Sequence, residues 1–61
     1  MKTSKTKIAT GTQVAFNLTN EATWFDVLDV DGFKMTIRET GTNYAEQYMD
    51  TCYVKQVRMP A

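Results

Sequence analysis

Asp31-Gly32-Phe33-Lys34-Met35-Thr36-Ile37-Arg38 is the stretch on which the fold of this chain turns. Asp-Gly is a dipeptide that tight two-residue hairpins select, because glycine takes the left-handed backbone at no steric cost. Behind it, Phe33, Met35 and Ile37 alternate with Lys34, Thr36 and Arg38, the period-two pattern of a strand with one apolar and one wet face. A strand leaving a tight turn needs a partner on the turn's other side, and Ala22 to Val30 supplies it. That segment is rich in aromatic and β-branched residues, which suit a pleated, half-buried surface. Trp24, Asp26 and Leu28 fall on one of its faces, Phe25 and Val27 on the other. The alternation slips at Val27-Leu28, which predicts a bulge or a strong bend.

Working outward, Val14, Phe16 and Leu18 alternate through Gln13–Leu18 and predict a strand, followed by a turn at Thr19-Asn20-Glu21. Downstream, Glu39 to Asn43 is a polar break containing Gly41. Tyr44 to Met49 reads two ways: Tyr44 and Tyr48, like Ala45 and Met49, stand four apart as on a helix face, yet strand alternation fits as well. The neighbouring short strands favour a strand there. Cys52 to Met59 reads as a final strand that Pro60 ends. The expected fold class is all-β: a small, five-stranded, strongly bent barrel over residues 11–61, preceded by a short basic arm over residues 1–10.

Sixty-one residues make a single domain. A chain this short buries only about 60% of the surface its unfolded form exposes. Cys52 is the sole cysteine and histidine is absent, so neither an internal disulfide nor a zinc site supports the core. Self-association is expected by elimination. The lone thiol suits a reducing compartment. No apolar run follows the basic start, as a secretory signal would require, and none approaches the roughly 20 residues of a membrane helix. A cytoplasmic protein is expected. Seven basic and seven acidic side chains cancel, but unevenly, since Lys2, Lys5 and Lys7 all lie in the first seven residues. The remainder sets four basic side chains against seven acidic ones, a balance of −3.

The residues offer little for catalysis. Without histidine, the Ser-His and Cys-His nucleophile arrangements are excluded, and Gly11, Gly32 and Gly41 lie too far apart for a phosphate-cradling loop. Asp29 and Asp31 read as solvated acids flanking a turn rather than as a dyad or a Mg²⁺ site. Cys52 reads as a buried or half-buried structural thiol rather than a redox one. No enzyme, cofactor or metal is expected. The better lead is Phe33-Lys34, a ring beside a cation at a strand–loop junction, the combination on which single-stranded nucleic acid stacks and neutralises its backbone. Phe33 also leads the set Phe33, Met35, Ile37, and on that ground reads first as core. Tyr44, Tyr48 and Tyr53 suit either base stacking or a subunit interface.

Taken together, Gln13 to Pro60 resembles the Sm-like proteins (Sm, LSm and Hfq). Val14-Ala15-Phe16-Asn17-Leu18-Thr19-Asn20 is similar to that family's first strand and its Leu-x-Asn turn. Trp24 to Asp31 is similar to the long second strand ending in aspartate, and Asp31 to Ile37 to the run entering the third. Tyr48 to Val57 stands where the family has its second motif. The resemblance implies a ring, in which the fourth strand of one subunit pairs with the fifth of its neighbour, and RNA bound around the pore. The loops implied to bind it hold Asp31, Gly32, Phe33 and Lys34, with Asp50, Thr51 and Cys52. This chain departs from the family within strand two, which usually has a glycine where Asp26 or a neighbour stands. It departs again at Asp50-Thr51, where the family has Arg-Gly or Lys-His, and at Lys34 to Thr36, where an asparagine is expected. The family's N-terminal helix is not evident in Met1–Thr10. Other SH3-like barrels, such as Tudor-like modules, are similar as well.

The expectation is therefore a non-enzymatic SH3-like or Sm-like protein that binds RNA or single-stranded DNA as a ring-forming homo-oligomer. Phe33 would stack, and Lys34 with the arm residues Lys2, Lys5 and Lys7 would meet phosphate. The alternative is a small protein-interaction module or inhibitor, of the kind phages encode, whose acidic body meets a basic partner.

Overall fold

The computed structural model describes residues 8–60. Lys2, Lys5 and Lys7, and with them most of the expected arm, lie outside the described residues. The chain forms β1 (Gln13–Ala15), β2 (Phe25–Asp31), β3 (Lys34–Glu39), β4 (Gln47–Asp50) and β5 (Gln56–Arg58), with a one-turn 3₁₀ helix, Thr51–Tyr53, between β4 and β5. All five strands join one antiparallel sheet in the order β4-β3-β2-β1-β5. The all-β class expected from alternation is the class observed. No helix among the described residues is long and apolar enough to cross a membrane.

The hairpin between β2 and β3 forms where Asp-Gly predicts it. Asp31 pairs with Lys34, leaving Gly32 and Phe33 as a two-residue loop. Gly32 takes φ +64°, the left-handed value that a type II′ turn places at its first central residue. The bulge also falls where the alternation slips, between Val27 and Asp29. It has a clear packing consequence: the extra residue, Leu28, absorbs the shift, so Val27 and Val30 both reach the core face.

That core is small. Val14, Val27, Met35 and Ile37 are each at most 2% exposed, and Phe25, Val30, Phe16, Met49, Val54, Val57 and Ile8 pack around them. Full burial of one such aliphatic side chain contributes about 1.5–3 kcal/mol, so the loss of any of the four would be felt. Met49 on one edge strand and Val57 on the other touch the same cluster, so the sheet curls around it. β4 and β5 do not pair with each other, and the curl remains open along that seam.

Several boundaries differ from the sequence expectation. The first strand stops at Ala15, opposite Gln56 in β5, rather than running to Leu18. Beyond it the Gln56 amide donates to the carbonyls of Asn17 (2.7 Å) and Thr19 (3.5 Å), so a side chain replaces the ladder there. Phe16 packs on Phe25 with ring centroids 5.4 Å apart, while Leu18 is exposed. β2 starts at Phe25, not Ala22. Tyr44 to Glu46 are not strand: Arg38 Nε donates to the Tyr44 carbonyl at 3.1 Å, and only Gln47 to Asp50 pair with β3. The expected final strand from Cys52 to Met59 is divided. Asp50 accepts a 2.9 Å hydrogen bond from the Cys52 amide, which starts the 3₁₀ turn and leaves only Gln56–Arg58 as β5. Phe33 is not core; as a turn residue it is 81% exposed, while Met35 and Ile37 keep the buried face.

Candidate binding groove

Pleating sorts the residues of β3 and β4 by face. Met35 pairs with Met49 on the core side, whereas Lys34 pairs with Asp50 and Thr36 with Tyr48 on the outer side. The hairpin loop stands at the same end of the sheet as the 3₁₀ turn, because the Thr51 amide donates to the Phe33 carbonyl at 2.8 Å. A groove of about 360 Å³ opens between them, lined by Asp31, Phe33, Lys34, Tyr48, Met49 and Asp50. Four of the residues singled out in the sequence, Asp31, Phe33, Lys34 and Asp50, meet here although they come from two separate stretches of the chain. Gly32 shapes the hairpin beside the groove. Thr51 anchors the second loop through its amide, and Cys52, expected to be buried or half-buried, lies exposed one residue further on because the 3₁₀ turn that carries it buries none of its residues. Neither lines the groove.

The groove has a definite chemistry. Phe33 and Tyr48 are 81% and 71% exposed, so two rings face water at one site. Two carboxylates, Asp31 and Asp50, stand against the single ammonium of Lys34, and among the described residues no ion pair joins Lys34 to either. Partial desolvation, and after it the Asp50 carboxylate, holds the exposed Cys52 thiol above its ordinary range. A protonated thiol is a poor nucleophile at neutral pH. Asp29 and Asp31 belong to no group of three or more His, Cys, Asp or Glu side chains that could hold a metal ion among the described residues.

Tyr48 carried only a general weight in the sequence, and its ambiguous segment hid its role as the second ring. Two further features escaped sequence reasoning. On the core side of β4, Phe16, Met49, Tyr53 and Lys55 line a second opening of about 390 Å³ at the unclosed seam. On the outer face, Arg58 Nε donates to Gln13 Oε1 at 2.8 Å, and Gln13 Nε2 donates to Asp26 Oδ1 at 3.0 Å. The Thr40 hydroxyl donates to that same Asp26 oxygen at 3.0 Å. The Arg58 guanidinium also lies 4.0 Å from the centroid of Trp24. This ladder gives Asp26 a structural role, and alternation alone could not have found it, since its members come from four separate segments.

Comparison with family models, curated proteins and solved structures finds no match for this chain. The groove itself is the basis for assigning a function.

Proposed function

We infer that this chain is a non-enzymatic binding module whose groove between the β2–β3 hairpin and β4 takes a basic segment of a partner protein. The carrying observation is the pairing of two carboxylates, Asp31 and Asp50, with two exposed rings, Phe33 and Tyr48. Carboxylates attract lysine and arginine, and aromatic faces attract the same cations through their quadrupoles. The balance of −3 over residues 8–60 extends that attraction beyond the groove.

A second reading keeps RNA or single-stranded DNA as the ligand of a homo-oligomeric ring. Phe33, Tyr48 and Lys34 favour it as a stacking platform with one cation, and the edges of β4 and β5, unpaired among the described residues, favour the ring. The two groove carboxylates oppose it, because phosphate contacts dominate nucleic-acid affinity and demand a basic surface.

Fluorescence polarisation at two salt concentrations separates the readings, with a labelled lysine-rich peptide, oligo-dT and oligo-U as probes. The first reading predicts that the peptide binds, weakening as salt rises, and that neither oligonucleotide does. Oligonucleotide binding without peptide binding would replace it with the second. Light scattering adds an independent check, because only the ring demands a closed oligomer.

A further inference from the structure

We propose that the partner segment adds as a sixth, antiparallel strand to the free edge of β4, with cationic and apolar residues in alternation. This rests on the basic-partner reading and specifies how the partner is held. The Thr51 amide bonds to the Phe33 carbonyl across the β3–β4 ladder. In an antiparallel pair, hydrogen-bonded positions recur at every second residue. Met49 and Gln47, paired with Met35 and Ile37, therefore point their peptide groups toward β3. The peptide groups of Tyr48 point the other way, to the outer edge, where β4 has no neighbouring strand among the described residues.

The two openings lie on opposite faces of this same edge strand. Asp31, Phe33, Lys34, Tyr48 and Asp50 border the outer one, and Phe16, Tyr53 and Lys55 the inner, more apolar one, with Met49 lining both. A residue opposite Tyr48 in an added strand has its side chain on the Tyr48 face, beside the carboxylates and rings. Its neighbours, about 3.3 Å along the strand, face the other way, toward the apolar seam. Lysine or arginine suits the first position, and valine, isoleucine or leucine the next. Main-chain hydrogen bonds hold such a strand, while the alternate pockets select its sequence. Gln47–Asp50 also contains neither proline nor lysine, two of the devices that deter edge pairing.

The test uses labelled seven-residue peptides and the full chain in a polarisation titration. One peptide alternates lysine and valine, a second has the same composition in two blocks, and a third is the alternating peptide N-methylated at its lysine amides. The alternating peptide is expected to bind at least tenfold more tightly than either of the others. Equal binding of the alternating and block peptides would overturn strand addition while leaving the basic-partner reading intact. Undiminished binding of the methylated peptide would overturn strand addition in the same way. Failure of all three to bind would overturn both. A stable ring that buries β4 against a neighbouring copy would also overturn strand addition, because the edge would already be filled.

Discussion

The two ends of the outer face handle polar side chains in opposite ways. Around β1, the Arg58–Gln13–Asp26–Thr40 ladder links donor to acceptor across the sheet, and Arg58 also covers Trp24. At the hairpin end, Asp31, Lys34 and Asp50 line one groove without an ion pair among them, and Phe33 and Tyr48 face water. Both ends draw on carboxylates, a cation and aromatic rings. The first uses them to hold three strands in register, and Gln13 is only 8% exposed in doing so. At the second, Asp50 caps the 3₁₀ turn, while Asp31, Lys34 and both rings remain uncommitted by folding. Surface engaged within the fold stabilises it; surface left over is available to a ligand.

The sharpest way to break this contrast is to perturb each end and the core beneath them. Ile37→Ala removes a fully buried side chain at the centre of the cluster, and a cost of about 2–5 kcal/mol is expected. For a domain at the low end of the usual stability range of roughly 5–15 kcal/mol, chemical denaturation should show a large fall in midpoint or outright unfolding. Gln13→Ala strips Arg58 of its acceptor and Asp26 of one donor, and should cost about 1–3 kcal/mol in the same assay. By contrast, Phe33→Ala and Tyr48→Ala should each leave stability within about 0.5 kcal/mol, as exposed substitutions do. They should weaken binding of a lysine-rich peptide at least tenfold. A Phe33→Ala protein as destabilised as Gln13→Ala would erase the distinction between the two ends.

The smallest expected effect concerns the thiol. Asp50→Asn keeps an oxygen able to accept from the Cys52 amide but removes the negative charge. The Cys52 pKa, raised in the native protein, should then move down toward its ordinary value. More thiolate would be present at a given pH below that pKa, so the rate of alkylation by iodoacetamide should rise. An unchanged or slower rate would mean that Asp50 does not govern the thiol.

How far the sequence discloses this arrangement differs between its parts, for physical reasons. The hairpin and the bulge were legible because each has a local cause, glycine's freedom at Gly32 and a slip in alternation at Val27-Leu28. Strand ends were less so. Phe16 and Leu18 continue the alternation, yet the pairing with β5 stops at Ala15, and where a ladder stops is decided by a partner about 40 positions away. Phe33 misled for a related reason: it keeps the phase of Met35 and Ile37, but the turn places it outside the strand. Asp31, Phe33, Lys34 and Asp50 were legible as candidates, whereas Tyr48 and the inner opening depend on register between β3 and β4. The roles suggested for Lys2, Lys5 and Lys7 fall outside the described residues.

The most direct test of the central claim is an amide-resolved NMR titration of the ¹⁵N-labelled chain with an unlabelled lysine-rich peptide. Shifts concentrated at Asp31 to Lys34 and Tyr48 to Asp50, with Gln13, Asp26 and Arg58 unmoved, are the predicted result. Shifts centred on the Gln13–Asp26–Arg58 ladder, or none anywhere at saturating peptide, would contradict it.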